Sequence, residues 1–149
     1  GDPRDLHSFP TRRSSDLGSL NRGIWKLLET ATRGWAVQRN HTLLVYVGAF
    51  YGPSDKTIGD NKVVVPHGFY KIVTDTVTGE VMAFAFKHEG GQVNDLVPLR
   101  VSIDAIEKAS GVAFAFPANA KEVPGGQIWP VDYGALTNAK RAKCKGAAE

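Results

Sequence analysis

A chain of 149 residues that is 42% hydrophobic can build one domain around one core and is too apolar to be disordered. No apolar run approaches the length of a membrane span, and the single cysteine, Cys144, excludes an intrachain disulfide framework and a cysteine zinc site. The formal charge of +3 lies in the C-terminal stretch, where Lys140, Arg141, Lys143 and Lys145 face only Glu149, so the body is neutral and a broad basic face is excluded.

Residues 1–17 show no period of two or 3.6 and have few large apolar side chains. Residues 7–17 also resemble a translated sequencing-adapter sequence. We read residues 1–19 as a non-native or disordered leader, set His7 aside with it, and expect the native N-terminal part to be missing. Residues 20–136 are read as a partial domain and 137–149 as a basic tail.

The first regular element is a helix over 21–38. Ile24, Trp25, Leu27, Leu28, Ala31 and Trp35 recur at helical spacing, filling an arc roughly 160° wide. Asn21, Trp25, Glu29 and Arg33 are four apart, each about 40° around the helix from the one before. Asn21 lies near the apolar arc, with Glu29 and Arg33 just beyond its edge. By spacing alone Asn21 is a helix cap. Glu29 and Arg33 are then an ordinary ion pair worth about 0.3–0.5 kcal/mol.

Residues 42–50 form a continuous apolar, β-rich run and predict a central strand buried on both faces. Residues 56–61 read as a polar loop and 62–65 as a short strand stopped by Pro66. Residues 69–74 and 80–86 predict a hairpin about Thr78-Gly79. Residues 97–103 predict a strand. A short helix follows, with Asp104 and Glu107 as a capping box and Gly111 as its stop. Residues 112–116 predict another strand, and 137–145 a short helix without a core stripe. Lys71 and Arg100 read as surface residues flanking strands. His41, His67 and His88 read as surface or capping histidines. The sum is an α+β fold with a mostly antiparallel sheet packed with helices. Gly90-Gly91 and Gly125-Gly126 match neither a dinucleotide nor a phosphate-loop spacing.

Taken in order, several marks resemble the nonspecific DNA/RNA endonuclease family of the ββα-metal class. They are Asn21-x-Gly23-x-Trp25 with Leu28-Glu29 and Arg33, then the strand into Gly48 with Tyr51-Gly52. Ile58-Gly59, Val65-Pro66 and Phe69-Tyr70-Lys71 follow. Val101-Ser102-Ile103-Asp104, Ile106-Glu107, Gly111, Phe114 and Phe116 close the series. They span residues 20–117.

The resemblance implies metal-dependent hydrolysis of phosphodiester bonds in DNA and RNA without strong sequence preference. It assigns Asn21 as ligand to one divalent metal, usually Mg2+, and Glu29 as holder of a metal-bound water. Arg33 becomes the phosphate contact. Eight residues of helix separate Asn21 from Glu29 by about 12 Å along the axis, which favours a bridging water. The implied partners are DNA and RNA through the phosphate backbone and a second copy in a homodimer, with no membrane. The implied location is secreted or periplasmic. One departure matters: the family's general base lies in an Asp-Arg-Gly-His motif, and this sequence contains none. The chain as written is therefore expected to be inactive. The competing reading is a non-catalytic nucleic-acid-binding or interaction module on the same fold.

Overall fold

The computed structural model describes residues 23–88 and 95–146. The leader, Asn21, the Gly90-Gly91 loop and residues 147–149 lie outside that range. Helix α1 (Ile24–Arg39) is followed by β1 (Leu43–Phe50), a small hairpin of β2 (Thr57–Ile58) and β3 (Val63–Val64), and the long pair β4 (Gly68–Asp75) and β5 (Glu80–Lys87). A 3-10 turn (Val97–Leu99), β6 (Arg100–Val101), α2 (Ile103–Ser110), β7 (Lys121–Glu122) and α3 (Tyr133–Gly146) complete the chain. The fold is α+β, as the pattern predicts. The main sheet has the order β1-β4-β5-β6, all antiparallel, with β7 added parallel to β5.

Alternation along β4 and β5 divides the core between two faces. Val73, Met82, Phe84 and Phe86 meet Ile24, Leu28, Ala31 and Trp35 of α1. Tyr70, Ile72, Val81 and Ala83 meet Phe50 and Ile106 of α2 on the other side. Trp35 is fully buried, stacks on Phe84 and donates its indole N–H to the Trp129 carbonyl at 2.8 Å.

Five expectations need correction. Among the described residues β1 pairs only with β4, so it is an edge strand, with Leu44 and Val47 exposed. An apolar run alone does not separate a central strand from an edge one. Residues 97–103 give only a two-residue strand after a 3-10 turn, where Pro98 has no N–H for a ladder. Residues 112–116 join no sheet; Phe114 and Phe116 instead pack against Tyr46. The α2 cap is Ser102, whose Oγ accepts the Ala105 N–H at 3.1 Å, rather than Asp104. The stretch 56–61, read as a loop, contributes β2 to the small hairpin.

A buried carboxylate ties the end of α1 to the β4–β5 turn. Asp75 Oδ2 accepts from Arg39 Nε at 2.9 Å and pairs with His41 Nδ1 at 2.7 Å, while Oδ1 accepts the Val77 and Thr78 amides at 2.9 and 3.1 Å. Burial pushes this carboxyl up, but the hydrogen bonds from His41, the turn amides and Arg39 outweigh it and hold Asp75 well below the usual carboxylate range.

Candidate metal and phosphate site on the first helix

The apolar stripe of α1 turns one flank of the helix to the sheet and leaves the adjoining flank to solvent. Glu29 and Arg33 are both exposed on that flank, one turn apart. Asn21, the metal position in the resemblance, lies outside the described residues.

Trp25 packs its ring against Phe69 and Phe86, with centroids at 6.3 and 5.6 Å. Lys71 lies under the same ring, its Nζ 5.5 Å from the Trp25 centroid, and is only 5% exposed. Burial lowers the Lys71 pKa, and the charge of Glu29 works in the opposite direction. A carboxylate on α1 thus faces a buried ammonium on β4. This corrects the reading of Lys71 as a surface residue. Its place in the alternation with Phe69 and Val73, both packed toward α1, was a signal available in the sequence.

Arg33 also borders the C-terminal helix α3. With Thr30, Val37, Leu136, Lys140 and Lys143 it lines a groove of about 310 Å3 between α1 and α3. Helix α3 is fastened there by two devices. Gly34 lets it approach closely: a methyl at that position would collide with Val131 and come within 2.9 Å of Leu136. Gln38 exchanges hydrogen bonds with the Asp132 backbone at 2.7 and 2.8 Å. The basic segment, separate in sequence, is thereby brought beside Arg33.

Arg100 is half-buried and donates to the carbonyls of Ala83, Val123 and Gln127, so it clamps loop to sheet rather than facing substrate. Its surface reading is corrected for the same reason. The described histidines are engaged elsewhere: His41 with Asp75, His67 with Asp55 and His88 with the Pro66 carbonyl. Among the described residues no group of three or more His, Cys, Asp or Glu is placed to hold a metal ion. Glu29 alone, exposed and set over Lys71, suits a carboxylate that grips a hydrated hard cation through water, since Mg2+ keeps several of its waters.

The model of the DNA/RNA non-specific endonuclease family matches residues 16–121. Among solved structures, the chain is similar to one from the EndoG/EndoGI complex, described as showing the mechanism of EndoG inhibition, with a TM-score of 0.56 at 21% identity. That alignment covers 63% of this chain and 44% of the other, so this chain spans less than half the length of that neighbour. No curated protein sequence matches the chain. The region matched by the family model contains Asn21, Glu29, Arg33 and Lys71.

Proposed function

This chain belongs to the DNA/RNA non-specific endonuclease family, and on that footing we propose that α1 carries the metal-binding and phosphate-binding half of a nuclease site. The observation that carries the reading is the exposed Glu29–Arg33 pair, one turn apart, with Lys71 buried behind Glu29. Asn21 would hold Mg2+ through its amide oxygen, and Glu29 would orient a water of that ion's shell. Bound Mg2+ would supply Lewis-acid stabilisation of charge on the scissile phosphate. Arg33 makes paired hydrogen bonds to the phosphate, and Lys140 and Lys143 extend its positive field along the groove. Lys71 places a buried positive charge behind Glu29. Binding reads the backbone rather than the bases, so DNA and RNA both serve.

The sequence contains no Asp-Arg-Gly-His, and no described histidine hydrogen-bonds to Glu29 or Arg33. We therefore expect the chain to bind metal and nucleic acid with little or no turnover. That same observation favours the second reading, a non-catalytic nucleic-acid-binding module. Plasmid nicking with Mg2+ and with EDTA tests the assignment. Little nicking in either condition is expected. Robust Mg2+-dependent cleavage abolished by Asn21→Ala would place a working base in this chain and overturn the expectation of weak turnover.

A further inference from the structure

A second cluster of polar groups sits where the β4–β5 ladder ends, outside the Glu29–Arg33 flank. His67 and His88 are neighbours across that end: the His88 N–H donates to the His67 carbonyl at 2.9 Å. Both imidazoles are held in one orientation. His67 Nδ1 lies 2.9 Å from Asp55 Oδ1, and His88 Nδ1 lies 3.0 Å from the Pro66 carbonyl. A carbonyl and an ionised carboxylate only accept, so each Nδ1 is the donor. Nε2 of each ring is then the nitrogen left for a ligand. The two rings line one open cleft of about 340 Å3, together with Ser54, Asp55 and Lys56.

Asp55 is already committed, its side chain 6% exposed and its second oxygen accepting the Gly52 N–H at 2.7 Å. His67 is 56% exposed and so reaches the solvent side of the cleft. Phe50 stacks on His67 and Phe69 meets His88 edge-on, with centroids at 6.3 and 5.3 Å. Phe69 also touches Trp25 in the first turn of α1. Two ring contacts therefore link the cleft to the helix that carries Glu29 and Arg33.

Imidazoles prepared this way suit either a cation, bound through the Nε2 lone pairs, or an anion, bound through Nε2–H after protonation. Lys56 decides between them, because its ammonium repels a cation and attracts an anion. Asp55, the third such group on the cleft, is committed to His67 and the Gly52 N–H, and no group of three or more His, Cys, Asp or Glu among the described residues is placed to hold a metal ion.

We propose that Lys56, His67 and His88 form a second phosphate subsite. It grips the nucleic-acid backbone at a place separate from the phosphate at Arg33. The choice of nucleic acid as occupant rests on the nuclease reading; the anion specificity does not. An imidazole offers a second N–H donor only in its protonated form. Among the described residues, the charged and titratable groups that line the cleft with each ring are Asp55, Lys56 and the other histidine.

The test uses the full chain and the histidine Cε1–H signals in proton NMR. Inorganic phosphate is titrated first, then a short single-stranded oligonucleotide, at acidic and at alkaline pH. The His67 and His88 signals are expected to shift saturably with phosphate, more strongly at acidic pH, while His41 stays fixed. His67→Ala with His88→Ala should weaken oligonucleotide binding about 3–10-fold and lower the salt slope by about one to two. An unmoved His41 signal in the double variant reports an intact fold. Signals insensitive to phosphate would overturn the subsite. A stoichiometric response to Zn2+ with none to phosphate would do the same, in favour of a metal site. A response to phosphate without any oligonucleotide binding would overturn the nucleic-acid occupant and the nuclease reading together.

Discussion

Lys71 holds its ammonium 5.5 Å from the centre of the Trp25 ring, buried between sheet and helix on the side where Glu29 reaches the surface. A buried charge of this kind is expensive to keep, so its presence calls for a purpose beyond packing. We expect Lys71→Met to leave thermal stability unchanged or higher, because it removes a buried charge. Mg2+-dependent oligonucleotide affinity should fall about 10-fold, the range seen when a group supporting a metal ligand is removed. A fall in melting temperature with unaltered Mg2+ dependence would make Lys71 a structural residue only.

Asp75 is the structural counterpart, with four groups arranged around one buried carboxylate. Because its folded pKa is depressed, its contribution is fully present above the unfolded value of about 3.9 and is lost as pH falls through and below that value. Asp75→Asn should cost about 3 kcal/mol at neutral pH, leaving Arg39 with Glu80 as its remaining carboxylate partner. The variant's stability should also decline less steeply in acid. Urea unfolding at neutral and acidic pH measures both; parallel pH curves for variant and wild type would remove Asp75 from the acid response.

Gly34 controls whether the basic helix stays beside Arg33. In Gly34→Val the branched side chain meets Val131 and Leu136 and should release α3 from α1. Hydrogen exchange over 133–146 should rise, and oligonucleotide binding should weaken about 3-fold, as in Lys140→Ala with Lys143→Ala. Protection of α3 unchanged in the glycine variant would show that the contact can yield.

Thr74 is fully buried, and among the described residues its hydroxyl has no hydrogen-bond partner. Thr74→Val keeps the shape and removes an unsatisfied polar atom. It should raise stability by about 1 kcal/mol, read from the urea midpoint at constant slope. A loss of stability would point to a partner outside the described residues.

The elements legible in the sequence were those with local signals. Helix α1 followed from its apolar period, the β4–β5 hairpin from alternation about Thr78-Gly79, and the end of α2 from Gly111. What could not be read is set by contacts distant in sequence. The edge position of β1 depends on which strands pair beside it. The cap at Ser102 competed with an equally good local pattern at Asp104. The same division holds at the site. Glu29 and Arg33 were named through the family resemblance, since helical spacing alone reads them as an ordinary ion pair. Lys71 is joined to Glu29 only by packing β4 beneath α1, and Lys140 and Lys143 reach Arg33 only because α3 folds back over Gly34. The pairing of His67 with Asp55 crosses a hairpin and left no motif.

The most direct measurement is oligonucleotide affinity with Mg2+ and with EDTA, for the wild-type chain and for Asn21→Ala, Glu29→Gln and Arg33→Ala. Mg2+ should tighten wild-type binding about 10-fold. Asn21→Ala and Glu29→Gln should erase most of that gain while leaving binding in EDTA unchanged, and Arg33→Ala should weaken binding in both conditions. Equal affinity of the wild type with Mg2+ and EDTA, or a Mg2+ gain untouched by Asn21→Ala, would contradict a metal-and-phosphate site on α1.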